Sequence, residues 1–293
     1  MKTHSATPIT PGLAGSLLPE RPNDSHKGTF GKALLIAGSK QFPGAANLAI
    51  RAALRSGVGL VYAAIPESIY IPLAASIPEA IWYVLSGQED INQKTSALVS
   101  GKDAVLVGPG LGQVNQTRDL LLTVLSNLRE QAAGAALVVD ADALNLLSQQ
   151  PGWANLLPNK SIMTPHEMEF SRLTGLPLEE IHANRMALAL HYAQEWGQTL
   201  ILKGANTLIA SPDGDCRILP FAHSALAHGG TGDVMAGLLV GLLAQGLAPF
   251  DAATLAVWLH ARAAQLALDA IGHPAAVLPS DIIQQLGRAM SSL

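Results

Sequence analysis

The residues with the clearest chemical potential are consecutive: Gly229-Gly230-Thr231-Gly232-Asp233. Glycines permit a backbone turn that residues with a Cβ resist, and the apolar run from Val234 to Ala244 behind them reads as a helix. Free amides at a helix N-terminus, aided by the helix dipole, form an anion site. Gly230, Thr231 and Gly232 would form that anion hole, with the Thr231 hydroxyl as an added donor. Asp233 falls in the first turn, where the dipole favours its ionised, proton-accepting form and burial opposes it. A Gly-rich helix start with an N-terminal Asp also occurs without function. Here the helix is apolar on every side, hence central and buried, and a carboxylate leading into such a helix is more often functional.

Other segments have a functional and a plain structural reading. Gly108-Pro109-Gly110-Leu111-Gly112 follows an apolar stretch and either lets a phosphate-bearing ligand approach the backbone or makes an ordinary tight turn. Pro43-Gly44-Ala45-Ala46 opens a helix with small residues, either to let a flat ring lie close or to pack helix on sheet. His166 follows Thr164-Pro165 and could donate a hydrogen bond to an amide or phosphate. Glu167 and Glu169 read as helix N-terminal charges, one of which could position water around a cation. Lys203-Gly204 could meet a nucleotide phosphate or end a strand in solvent. Asp140, Asp142 and Asn145 cluster without diagnostic metal-ligand spacing, and Asp142 reads as a helix cap, so metal ligands stay open. His182, His191 and His260 fall within helices and read as structural or surface residues.

These groups must be held by the elements between them. Short, continuous apolar runs mark strands buried on both faces: 33–37, 60–64, 104–107, 137–140, 161–164 and 199–203. Helical patterns alternate with them at 45–56, 116–130, 141–148, 165–174 and 181–196. Alternation of this kind predicts a mainly parallel sheet in an α/β fold. Segments 206–211 and 216–219 flank Pro212-Asp213-Gly214 and read as a hairpin on one sheet edge. The last third is helical, 232–245, 250–271 and 280–290, with Ser280 as N-cap and Asp281 in the first turn. Ligands in such sheets sit beyond the carboxyl ends of the strands, where the Gly-rich segments fall. Residues 1–27 read as a loose N-terminal arm that could fold over a neighbour, and 28–293 as a single domain.

Composition sets outer limits. The chain has 293 residues, 49% of them hydrophobic and 14% charged, enough for a large core. A net charge of −4 without a basic run leaves no electrostatic footprint for nucleic acid. With one cysteine, Cys216, an internal disulfide and a thiolate metal cluster are both excluded, and a reducing cytoplasm is the expected compartment. No run has the length of a membrane span and no signal-peptide pattern opens the chain.

Gly-Thr-Gly-Asp before a buried helix resembles the anion hole and catalytic base of the ribokinase-like superfamily. Its order with His26-Lys27-Gly28, Phe30-Gly31, Ala37-Gly38-Ser39, Pro43-Gly44-Ala45-Ala46, Val107 to Gly112, Asp140 to Asn145, Thr164 to Phe170 and Lys203 to Thr207 is similar to the NAD(P)H-hydrate dehydratases. The resemblance runs from His26 almost to the end. It implies a ribokinase-like three-layer α/β/α sandwich and ADP-dependent dehydration of the S epimer of hydrated NADH or NADPH. It further implies a catalytic Asp233 that also touches substrate, with Ala45, Gly112 and His166 as substrate contacts. Lys203, Gly204, Ala205, Asn206, Thr207 and Gly232 would line the ADP site. Mg²⁺ as cofactor, a homotetramer and an epimerase on a separate chain are expected too. His228 departs from the pattern, standing where a small or hydroxyl residue is expected. Two rivals remain: a vitamin-precursor kinase for a thiazole or hydroxymethylpyrimidine alcohol, and an inactive nucleotide-binding regulatory subunit.

Overall fold

The structure, a computed structural model, describes residues 5–86, 95–131 and 134–293. A two-residue strand β1 (Thr7–Pro8) and helix α1 (Pro11–Ser16) come first. Then follow β2 (Lys32–Ile36), α2 (Pro43–Arg55), β3 (Leu60–Pro66), α3 (Glu67–Ser76) and β4 (Ile81–Leu85). The centre is β5 (Ala104–Val107), α4 (Asn115–Glu130), β6 (Ala136–Val139), α5 (Asp142–Ser148) and β7 (Ser161–Met163). It continues through α6 (Glu167–Thr174), α7 (Leu178–Trp196) and β8 (Thr199–Leu202). The hairpin β9 (Leu208–Ala210) and β10 (Cys216–Ile218) precedes α8 (Thr231–Ala244), α9 (Pro249–Ile271) and α10 (Pro279–Ser291).

The strands form one sheet in the order β1-β10-β9-β8-β7-β6-β5-β2-β3-β4. Neighbours are parallel except β9, which runs against both β8 and β10. Alternate residues feed two cores. Leu35, Leu106, Val138 and Ile201 pack with α2, α8, α9 and α10 on one face. Ile36, Val107, Val139 and Leu202 pack with α4 to α7 on the other. That is a three-layer sandwich, and it explains why the central strands read as continuous apolar runs.

Helix α8 lies innermost, with every residue from Val234 to Ala244 buried. Its glycines let it approach α2: a Cβ on Gly237 would land on the Ala49 carbonyl oxygen. Gly108, at φ +135, brings the β5 loop equally close to the Asp140 carbonyl after β6. The two close approaches draw α2, α8 and the loops after β5 and β6 together.

Several expectations change. Part of the N-terminal segment is packed on the fold: Thr7 and Pro8 pair with β10, and Ala14 is fully buried. The hairpin is therefore not at the very edge, because β1 lies outside it. Helix α10 is entered through Leu278 and Pro279 rather than Ser280, and Asp281 reaches back to the Leu278 amide at 2.8 Å. Elements α3 and β4 extend the sheet beyond β3 and had no counterpart in the sequence reading.

Gly237→Val is expected to lower unfolding free energy by about 1–3 kcal/mol, because it overpacks a contact with rigid backbone. Urea denaturation would show this as a lower midpoint at unchanged slope.

Candidate active site

The carboxyl ends of β6, β7 and β8 bring together charges that are far apart in the chain. Lys203 leaves β8 and places Nζ 2.8 Å from Asp140 Oδ1, after β6. The same Asp140 oxygen accepts the Thr164 hydroxyl at 2.6 Å, from the end of β7. Glu169, in the first turn of α6, approaches the ammonium at 3.7 Å. Asp140 is 1% exposed and Glu169 4%. Lys203 is thus no solvent-facing strand end. Burial opposes its charge, but Asp140 and Glu169 outweigh that and raise its pKa.

Asp233 stands in the first turn of α8 beside this group. Burial, reinforced by Asp140, pushes its pKa to about 7 while Lys203 pulls the other way. Desolvation therefore outweighs the pull of Lys203, and the carboxylate is poised near neutrality. Burial likewise raises Glu169 to about 7. Gly232 faces the ammonium so closely that a Cβ there would sit 3.6 Å from Lys203 Nζ.

The start of α8 is arranged differently from expectation. The Thr231 hydroxyl turns inward and donates to the carbonyls of Leu226 and His228, each at 3.0 Å. The Thr231 amide is also engaged, by the His228 carbonyl at 3.3 Å. Thr231 and His228 thus tie the loop to the helix, and the next amides, of Gly232 and Asp233, are placed to meet an anion.

A cavity of about 670 Å³ opens beside this cluster. His166, Lys203, Gly204, Ala205, Thr207 and Gly232 line it, as does Thr231. Its other wall is a segment that sequence reasoning missed: Phe221 to Leu226, with Met235 and His260 below. His260 is 7% exposed, and burial lowers its pKa to about 4, so it is a neutral ring in the cavity wall. The apolar run around it gave no sign of this. His182 and His191 are surface residues, paired with Glu167 at 2.8 Å and Glu195 at 3.1 Å.

Asn206, left-handed at φ +57, shapes the turn beside the cavity and donates its amide to Phe221. Arg185, from α7, holds that turn by donating to the Ala205 carbonyl at 2.6 Å while pairing with Glu167 at 3.2 Å. Glu167 therefore fixes a loop rather than serving only as a helix-terminal charge.

Ala45, in the first turn of α2, and Gly112, on the loop after β5, lie outside this cavity. Gly110 packs against Ala45 and Phe42 so tightly that its Cβ would fall 2.8 Å from that of Ala45. Asp142 accepts the Gly112 amide at 2.8 Å and the Gln113 side chain at 2.9 Å. It thus grips the β5 loop instead of capping α5, whose N-cap is Ala141. Asn145 accepts Arg172 at 2.7 Å. His166 is the N-cap of α6, which begins after Pro165 rather than at it. Among the described residues no three His, Cys, Asp or Glu side chains gather to hold a metal ion.

A buried helix start carrying a carboxylate and a large cavity beside it, on a mostly parallel sheet, are the parts of a ribokinase-like site. The fold matches a ribokinase-like superfamily protein from Enterococcus faecalis, with TM-score 0.85, 30% identity and 98% and 95% of the two chains covered. The NAD(P)H-hydrate dehydratase family model matches residues 33–288, and the chain belongs to that family. An ADP-dependent (S)-NAD(P)H-hydrate dehydratase from Bacillus subtilis is 36% identical over 86% of each chain. A Bacillus subtilis ADP/ATP-dependent NAD(P)H-hydrate dehydratase crystallised with ATP/Mg²⁺ superposes with TM-score 0.85, 33% identity and 98% of both chains. A bifunctional NAD(P)H-hydrate repair enzyme from Moorella thermoacetica is 36% identical over 97% of this chain, which spans 54% of that longer protein.

Removing the ammonium should be costly. Lys203→Met would leave Asp140 buried without its counter-charge and is expected to cost about 3–5 kcal/mol in urea denaturation. Asp233 gives a pH test. Its folded pKa lies above the ordinary value of about 3.9, so its contribution to stability is full below that value and lost as pH rises through about 7. Asp233→Asn is therefore expected to be more stable than the parent at pH 8, with the gain shrinking toward pH 4.

Proposed function

We propose that this chain is an ADP-dependent (S)-NAD(P)H-hydrate dehydratase, a hydro-lyase that repairs hydrated nicotinamide coenzyme. The observation that carries the reading is the Asp233 carboxylate, in the first turn of a buried helix beside Lys203 and next to Gly232, both of which line the cavity. The ring hydroxyl of the hydrate is a poor leaving group. Asp233 takes its proton as the oxygen attacks the terminal phosphorus of ADP, forming the phosphate ester and releasing AMP. The ring nitrogen lone pair then expels phosphate. Loss of a proton from the neighbouring ring carbon restores the double bond. Family membership and a relative named as an ADP-dependent (S)-NAD(P)H-hydrate dehydratase support the overall reaction.

Each part of the site has a role here. The amides at the start of α8, with Gly232 foremost and Gly230 and Thr231 shaping the turn, face the transferring phosphoryl group. Such transfer depends on positioning and electrostatics. Lys203 neutralises phosphate charge, and the turn from Gly204 to Thr207 holds the nucleotide, with Arg185 fixing that turn. Ala45 in the first turn of α2, Gly112 after β5 and His166 at the start of α6 would meet the coenzyme. Mg²⁺ fits as an ion carried on the nucleotide phosphates, since Mg²⁺ takes few protein ligands and the carboxylates of Glu169 and Asp233 lie beside Lys203, which lines the cavity. When bound it would add positive charge near those phosphates. A cytoplasmic homotetramer supplied by an epimerase on another chain completes the proposal. Among the described residues no helix is long and apolar enough to cross a membrane.

Incubation with hydrated NADH and ADP, followed by absorbance of the restored dihydronicotinamide, tests the reading. Recovery should require ADP and release phosphate and AMP. Asp233→Asn should lose about 10²–10⁴-fold in turnover while retaining ADP binding. No recovery, with stable phosphorylation of a thiazole alcohol, selects the vitamin-kinase rival; nucleotide binding without either reaction selects the regulatory one.

A further inference from the structure

We propose that His166 meets its ligand only as an N–H donor through Nε2, a role imposed by the cap of its own helix, and that Glu169 is the positioning residue that holds the ring there. The ligand's identity rests on the function proposed above; the state of the ring does not.

His166 is the N-cap of α6, and its Nδ1 lies 3.1 Å from the Met168 amide and 3.3 Å from the Glu169 amide. Backbone amides can only donate, so Nδ1 must keep its lone pair. A neutral imidazole then carries its hydrogen on Nε2, and an imidazolium would break the cap. The remaining nitrogen is a donor and has no lone pair to take a proton.

Glu169 reinforces this from both oxygens. Oε2 accepts the His166 backbone amide at 2.8 Å, closing a reciprocal capping box. Oε1 faces Nε2 at 3.4 Å, on the side where the ring carries its hydrogen. That separation is long for a hydrogen bond, so a ligand could take over the same hydrogen. The ring is half exposed and lines the cavity, whereas Glu169 is buried behind it. The charges around it come from several elements: Lys203 after β8, Asp140 after β6, and Arg172 and Glu167 within α6. Burial first, then Lys203, lowers the pKa of the ring, consistent with a neutral donor at neutral pH. The group so presented suits an acceptor, such as a phosphate oxygen or the carboxamide oxygen of a nicotinamide.

Two readouts test the proposal on the full chain. In ¹⁵N-histidine-labelled protein, long-range proton–nitrogen correlations report which ring nitrogen is protonated, with His166 assigned by its loss in His166→Asn. The expected result is bare Nδ1 and protonated Nε2 between pH 6.5 and 8, with and without ADP. An Nδ1–H tautomer or a cationic ring at pH 7 overturns the proposal, whatever the substrate proves to be. In kinetics, His166→Asn keeps a capping side chain but loses the reach of the ring. It should raise KM for the hydrate or for ADP roughly 3- to 10-fold and leave the pH profile of kcat unmoved. Loss of a limb of that profile would make His166 a proton acceptor and overturn the assignment. Glu169→Gln preserves the capping box but offers its own N–H toward Nε2. The two donors repel, so the ring should keep its tautomer but lose its fixed orientation, raising the same KM by a similar factor; an unchanged KM would remove Glu169 from the role. If the parent enzyme does not turn over the hydrate, the function proposed above fails, and the ring's protonation still decides this inference.

Discussion

A single ammonium group organises this site. Lys203 is the cation placed among Asp140, Glu169 and Asp233, which meet where three parallel strands end. Without it the carboxylates would be a buried like-charge cluster of prohibitive energy. With it, Asp140 is paired directly, while Glu169 and Asp233 stay close to the point of gaining or losing a proton. The poise of Asp233 is thus a balance: burial and neighbouring carboxylates raise its pKa, and one lysine restrains it. This is the environment a proton acceptor needs at neutral pH.

The fold exists to keep those groups in register. Strands β6, β7 and β8 lie side by side in the sheet and run the same way, so Asp140, Thr164 and Lys203 emerge together. Helix α8 brings Asp233 to them from the opposite layer, and it sits close because Gly237 lets it touch the backbone of α2. The same helix α2 carries Ala45 in its first turn, so a residue proposed to meet coenzyme and the helix proposed to carry the base share one packed contact. Backbone-on-backbone packing of this kind deforms little, which suits a site whose geometry must be held in advance.

Much of this was legible in the sequence because buried parallel strands leave continuous apolar runs, and glycine punctuates the loops at their ends. The motif from Gly229 to Asp233 could be placed at the start of a buried helix from its apolar continuation alone. Other features left no local trace. Asp140 and Lys203 are 63 residues apart in the chain, and nothing in either segment announces the pair. His260 sits in a helix whose apolar neighbours made it look like any core histidine. Strand β4 lies at the sheet edge with half-exposed residues, and α3 contains Pro72, so neither shows a clean period. The roles of Glu167 and Asp142 depend on loops brought near them by tertiary packing. The N-terminal strand β1, two residues long, is defined only by its partner β10.

The central claim is that the charge balance around Lys203 leaves Asp233 able to accept a proton near pH 7. The direct test is a carboxyl ¹³C titration of Asp233 in the ligand-free protein, assigned by comparison with Asp233→Asn. A midpoint near 7 is predicted. A midpoint near the ordinary aspartate value of about 4 would contradict the account, because the residue would then be an unperturbed surface charge.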